Sequence, residues 1–109
     1  MALKHAESGE VVNIYSAYSQ LPESRSLAII SAPEIEVVRL VLNAAKAVPQ
    51  HTLDGPFTLH CLKGAVEVKT DGHWQPLGPD DLIYVEAGVL HELRAVADSI
   101  VLLTLFRPR

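Results

Sequence analysis

The stretch that decides the fold runs from residue 49 to residue 93 and reads PQHTLDGPFTLHCLKGAVEVKTDGHWQPLGPDDLIYVEAGVLHEL. Short segments rich in Val, Ile and Leu alternate here with Gly, Pro and Asp, which is typical of β-strands separated by tight turns. Asp71 and Gly72 lie between VEVK and HWQPL, and this pair suits a two-residue turn in which both residues have positive φ. The stretch therefore predicts antiparallel strands that include one β-hairpin closed by residues 71 and 72.

The same alternation continues on both sides of this stretch and predicts seven or eight strands in an all-β chain. Helical spacing is scarce, and several short strands without crossover helices favour a sandwich or a barrel. We expect an N-terminal arm at residues 1–25 and a barrel at residues 26–109. The predicted strands are Val11 to Tyr15, as a candidate first strand in the arm, and then Leu27 to Ser31, Glu34 to Leu42, Thr58 to Lys63, Val66 to Thr70, Leu82 to Val85, Leu90 to Val96 and Ile100 to Phe106.

Composition excludes several classes of protein. The chain has 109 residues, enough for one domain with its own core, and its 49% apolar content excludes a disordered chain. No apolar segment is long enough to cross a membrane, and no apolar stretch follows the first residues, so we expect a cytoplasmic protein. The net charge of −4 argues against nucleic acid as a partner. Cys61 is the only cysteine, which excludes an internal disulfide.

Residues 45–95 resemble the cupin superfamily, whose two motifs are G-x5-H-x-H-x3,4-E-x6-G and G-x5-P-x-G-x2-H-x3-N. His51 and Gly64 match the first motif, and Gly88 and His91 match the second. The resemblance implies a single-domain antiparallel jelly-roll barrel with an interior pocket that is open at one end.

The departures from these motifs concern the metal centre. Cupin metal centres normally use three histidines and a carboxylate, and the resemblance places these ligands at His51, Leu53, Phe57 and His91. Two of the four residues are apolar, so the four-ligand site is incomplete. The other motif positions that differ are Ala45, Asp80, Glu86 and Ala95.

Two interpretations of His51 and His91 remain open at this stage. They hold a weakly bound divalent metal with further donors, or they are neutral imidazoles in a pocket that binds no metal. The resemblance implies that position 57 points inward, and alternation from there predicts that Cys61 faces the interior, as a small apolar side chain, and that His60 faces outward, whereas a bulge would reverse the two. In either case we expect a ligand pocket formed by His51, Leu53, Phe57, Cys61 and His91.

These residues lead to three hypotheses about function. The first is a protein that binds a small hydrophobic or amphipathic molecule in the barrel pocket. The second is a metal-dependent enzyme, of oxygenase or isomerase type, that uses His51, His91 and an unassigned donor. The third is a protein whose main property is association. The segment from Glu34 to Leu42 is apolar on both faces after Ile35, and we therefore expect a homodimer that covers one of these faces. The alternative is that residues 11 to 25 fold back and cover this face within the same chain.

Overall fold

Nine strands are present in residues 5–14 and 26–107, which are the residues described by the structure, a computed structural model. Within these two ranges no helix reaches the length and apolarity that crossing a bilayer requires. The strands are β1 (Leu27–Ser31), β2 (Ile35–Leu42), β3 (Ala47–His51), β4 (Phe57–Lys63), β5 (Val66–Thr70), β6 (His73–Leu77), β7 (Leu82–Val85), β8 (His91–Ala95) and β9 (Ser99–Phe106).

The strands form two antiparallel sheets. The five-stranded sheet has the order β1-β2-β9-β4-β7, and the four-stranded sheet has the order β3-β8-β5-β6. Strands that are distant in the sequence are therefore neighbours: β9 lies between β2 and β4, and β8 lies between β3 and β5. This exchange of strands between two facing sheets is the antiparallel jelly-roll arrangement predicted from the sequence.

The core lies between the inner faces of the two sheets. Alternation along β4 buries Phe57, Leu59 and Cys61, while Thr58 and His60 between them remain partly exposed. The four-stranded sheet contributes a matching set of buried side chains, namely Val66, Val68, Leu77, Leu93 and Ala95.

Most of the predicted strands are confirmed to within one residue at each end. The exceptions are one predicted strand that is absent and two observed strands that were not among those predicted. The candidate strand from Val11 to Tyr15 is wrong for residues 11–14, which form no strand. Residue 15 lies outside the described residues. The extra strands are β6, the second arm of the predicted hairpin, and β3, which the sequence analysis missed. The division into an arm at 1–25 and a barrel at 26–109 stays a prediction.

Seven of the described residues have a left-handed backbone, and four of them bear on the sequence predictions. Asp71 and Gly72 have φ values of 51° and 81°, which confirms the hairpin turn with two positive φ angles. Ala45 and Asp80, at motif positions where cupins usually have glycine, have φ values of 70° and 68°. Both residues therefore adopt a conformation that favours glycine, at a cost of about 1 kcal/mol for a residue such as Ala.

Candidate functional site

A row of four polar residues crosses one end of the four-stranded sheet. The strand register places His51 of β3 opposite His91 of β8, and His91 opposite Thr70 of β5. Thr70 in turn lies opposite His73 of β6. We call these four residues, His51, His91, Thr70 and His73, the mouth row, and the end of the barrel where they lie the mouth.

Alternation along the strands shows that the mouth row faces the barrel interior. His91 shares its face with the buried Leu93, and Thr70 shares its face with the buried Val68. His73 faces the opposite way from Trp74, whose ring lies 3.8 Å from the Arg94 guanidinium carbon on the outer face. The exposure of the row increases from the buried His91 through the half-buried His51 and Thr70 to the exposed His73.

His51 and His91 form a close pair whose ring centroids are 4.1 Å apart at an interplanar angle of 56°. The Nδ1–H of His51 donates to the Pro49 carbonyl over 2.9 Å, and the Nδ1–H of His91 donates to the Val89 carbonyl over 3.1 Å. A carbonyl oxygen only accepts, so Nδ1 carries the hydrogen in each ring. In the neutral form both rings therefore present an unprotonated Nε2, which accepts a hydrogen bond or binds a metal.

Burial keeps His91 in its neutral form. Its side chain is 4% exposed, and its ring centroid lies 4.7 Å from that of Phe57. Desolvation lowers the pKa of His91, and the neighbouring His51 lowers it further, while the hydrogen bond to Val89 acts in the opposite direction. Near neutral pH, the ring of His91 is therefore an acceptor at Nε2 rather than a cation.

The wall that faces the mouth row is apolar. Phe57 of β4 lies opposite Val85 of β7 on one side and opposite Leu105 of β9 on the other. Phe57 and Val85 are buried, and Leu105 is partly buried against the core. Phe57 and Val85 offer a ligand almost no surface, so the apolar surface that this wall presents at the mouth comes from Leu105.

The five residues predicted for the ligand pocket lie at different depths. His51 and His91 come together as described, and Leu53 packs on the core at the same end, where its carbonyl accepts from the amide of Gly88. Phe57 and Cys61 are 1% and 0% exposed, so both belong to the core and offer a ligand almost no surface. The pocket as a set of five residues stays a prediction.

The predicted orientations of Cys61 and His60 are confirmed. Burial raises the pKa of the Cys61 thiol, which donates to the Lys63 carbonyl over 3.5 Å, and the thiol is therefore protonated and unreactive. His60 faces outward, and its Nε2 lies 3.3 Å from Oδ1 of Asp80.

A cavity of about 440 Å³ adjoins the mouth on the outer side of the four-stranded sheet. His91 is its only lining residue among the predicted pocket residues; Gln50, Lys69, Asp71 and Glu92 supply its polar groups. Lys69 and Glu92 are partners in the strand register, with Nζ and Oε1 3.9 Å apart. These residues were not predicted from the sequence. The turn at Asp71 and the loop before His91, which both border the cavity, were the sequence features that could have indicated them.

A four-ligand metal centre does not fit this site. The apolar Leu53 and Phe57 occupy two of the positions at which the resemblance places ligands. In residues 5–14 and 26–107, no group of three or more His, Cys, Asp or Glu side chains is arranged to hold a metal ion. The described residues therefore supply two imidazole donors and no complete coordination shell.

Comparison with known proteins identifies the family. Residues 39–106 match the family model described as "Cupin domain", whereas a search of the curated proteins found no match. A cupin superfamily protein from Desulfitobacterium hafniense superposes with a TM-score of 0.80 at 15% identity, over 99% of this chain and 100% of the other. A conserved protein of unknown function from Streptococcus pyogenes, SPY1581, gives a TM-score of 0.77 at 18% identity, over 100% of this chain and 99% of the other.

KdgF from a Halomonas species gives a TM-score of 0.70 at 20% identity, over 77% of this chain and 78% of the other. At these identities the structural likeness is one of fold alone. The family match, in contrast, covers more than half of the chain and includes both histidines of the pair. The protein therefore belongs to the cupin family.

Proposed function

We propose that this cupin domain binds a small amphipathic molecule at the mouth of its barrel. The observation that carries the proposal is the pair His51 and His91, in which each Nδ1 is fixed by a backbone carbonyl and each Nε2 is left as an acceptor. The partly exposed Leu53 and Leu105 add apolar surface at the same end of the barrel, so a ligand with an apolar body and a hydroxyl group matches both kinds of surface.

Histidine-ring NMR of the full chain tests this proposal directly. Phenol, cyclohexanol and 4-phenylphenol serve as amphipathic probes, and we expect at least one of them to shift the Nε2 resonances of His51 and His91. His51→Ala should weaken the binding of that probe about three- to tenfold, because one hydrogen bond is lost. His60→Ala is the matched control, since it removes an outward-facing imidazole from the other sheet and should leave the affinity unchanged.

Absence of any shift at His51 and His91 with all three probes would refute the proposal. An affinity that survives His51→Ala would refute it as well, because the probe would then be bound elsewhere.

The second candidate function is a metal-dependent enzyme, of oxygenase or isomerase type, that uses His51, His91 and an unassigned donor. It is favoured by the Nδ1 hydrogen bonds to Pro49 and Val89, since a metal-binding histidine commonly donates its other N–H to such a carbonyl. The donor count within the described residues argues against it. Elemental analysis of the purified protein distinguishes the two candidates.

A further inference from the structure

The polar character of the mouth extends beyond the two histidines of the pair. Farther into the barrel, the inner face of β8 and β5 becomes apolar: the next row contains the buried Leu93 and Val68, with the exposed Gln75 at its β6 end, and the row after it contains the buried Ala95, Val66 and Leu77. The mouth row consists entirely of groups that donate or accept hydrogen bonds. Only the mouth row is therefore polar on all the strands that it crosses.

Two acceptors of this row are open to a ligand. His91, near the centre of the row, is 4% exposed as a residue, but its Nε2 is not among the buried atoms that lack a partner, so this atom reaches the surface of the mouth. Among the described residues, the hydrogen bonds of His51 and His91 use only Nδ1. A bound molecule with hydrogen-bond donors would satisfy these acceptors.

The dimensions of the row exclude a single ion as its common partner. Adjacent strands are about 4.8 Å apart, so His73 lies two strand spacings, or about 10 Å, from His91 and about 14 Å from His51. An elongated molecule lying across the strands would reach all four residues. The row also contains no Lys, Arg, Asp or Glu, which favours a neutral ligand over a charged one.

We infer that the ligand of the mouth is a neutral, elongated molecule with hydroxyl groups toward both ends, and that Thr70 and His73 determine its specificity. This inference rests on the proposed function and names the substrate class for the same site. One hydroxyl donates its hydrogen to Nε2 of His51, the more exposed ring of the pair. The other reaches the Thr70 hydroxyl and the His73 ring, and the apolar body lies toward Leu105.

Two probes of the same shape test the inference. 4,4′-Dihydroxybiphenyl has a hydroxyl at each end, whereas 4-phenylphenol has only one. The full chain should bind the dihydroxy probe about three- to tenfold more tightly in NMR titrations, the effect of one additional hydrogen bond. His73→Ala should remove most of this difference by weakening the binding of the dihydroxy probe.

Conservative and remote variants serve as controls. Thr70→Ser retains a hydroxyl and should retain most of the preference, whereas Thr70→Val should reduce it. His60→Ala, on the outer face of the five-stranded sheet, should alter neither affinity. The exposed position of His73 means that its replacement leaves the core intact, which the backbone spectrum of the variant checks.

The outcomes separate this inference from the proposed function. If both probes bind with equal affinity in a His51-dependent manner, or if the preference survives His73→Ala, the inference is wrong and the proposed function stands. If neither probe binds in a His51-dependent manner, both are overturned.

Discussion

The two ends of the four-stranded sheet differ in the polarity of the side chains on their inner face. At the closed end, β5, β8 and β6 place Val66, Ala95 and Leu77 side by side, and all three are buried. At the mouth, the same strands place Thr70, His91 and His73 in the corresponding register. The two rows are four residues apart along each strand. One sheet thus provides both an apolar surface that stabilises the fold and a polar surface available for binding. Stability should therefore respond to changes at the closed end and affinity to changes at the mouth.

The largest effect is expected for Gly64→Ala at the closed end. Gly64 has a φ of 87°, and a Cβ there would overlap the Asp98 carbonyl and the Ser99 side chain. Ser99 is fixed in place, since its hydroxyl accepts from the amide of Ala65 and it is 3% exposed. We expect a loss of about 3 kcal/mol or more in the free energy of unfolding, measured by denaturant titration.

Gly72→Ala near the mouth is the matched control for this change. Gly72 has a similar φ of 81°, but an added Cβ would meet no atom within 4 Å. Backbone strain alone should cost about 1 kcal/mol. Equal losses for the two variants would show that steric overlap at the closed end is unimportant.

The next largest effect is expected on association, through the outer face of the five-stranded sheet. Leu82, Tyr84 and Phe106 are exposed, whereas Val12 and Ile14 of the N-terminal segment line a cavity on another part of this face. The homodimer expected from the outer face of residues 34–42 stays a prediction, but Val37 on that face lines the cavity with Val12 and Ile14, so we place the interface at the exposed part instead. Sedimentation at micromolar concentration should then give about twice the chain mass of 11.9 kDa.

Tyr84→Asp should shift this dimer toward monomer, whereas Thr52→Asp, at an exposed site outside the strands, should not. A monomeric wild-type protein would refute the dimer.

A pair of nearly isosteric changes on β5 compares the closed core with the mouth directly. Val68 is fully buried, so Val68→Thr places a hydroxyl in the core and should cost about 1–3 kcal/mol. Thr70→Val, two residues closer to the mouth, should change stability by less than about 0.5 kcal/mol. Denaturant titration of both variants measures the difference, and similar costs would show that the mouth row serves packing.

The sequence predicted the fold because its signals are local. Alternating apolar residues marked most strands, and the pair Asp71 and Gly72 marked the hairpin through a backbone requirement that few residues meet. The strand β3 was missed because Pro49 interrupts it and most of its side chains are exposed, as is usual for an edge strand.

The mouth row was not predictable in the same way. His51 and His91 were found through motif positions, but Thr70 and His73 join them only through the pairing of β8 with β5 and of β5 with β6. The register of β3 against β8 also shifts between Val48 and His51, and no sequence pattern shows such an irregularity. Non-local register therefore decides which polar residues share the site.

A smaller effect is expected from pH. The pKa of His91 is lower in the folded chain than its ordinary value of 6.5, mainly because of burial, so the unfolded chain takes up the proton more readily. The stability that depends on neutral His91 should be fully present above about pH 6.5 and be lost as the pH falls below it. His91→Gln should flatten this dependence between pH 7.5 and 5.5, as measured by denaturant midpoints, and an unchanged slope would contradict the assignment.

The smallest effect is expected from removal of metal. This experiment tests whether the mouth binds an organic ligand or a metal ion. Two imidazoles leave at least two coordination positions to water, and a site of low occupancy stabilises the fold very little. Dialysis against a chelator should therefore leave the melting temperature nearly unchanged, and elemental analysis should find far less than one metal ion per chain. The double variant His51→Ala and His91→Ala is the control for any metal that is detected. A tightly held ion at close to one per chain that disappears in this variant would make the metal-dependent enzyme the better interpretation, because the pair would then bind an ion at the two Nε2 atoms that the ligand proposal requires to be free.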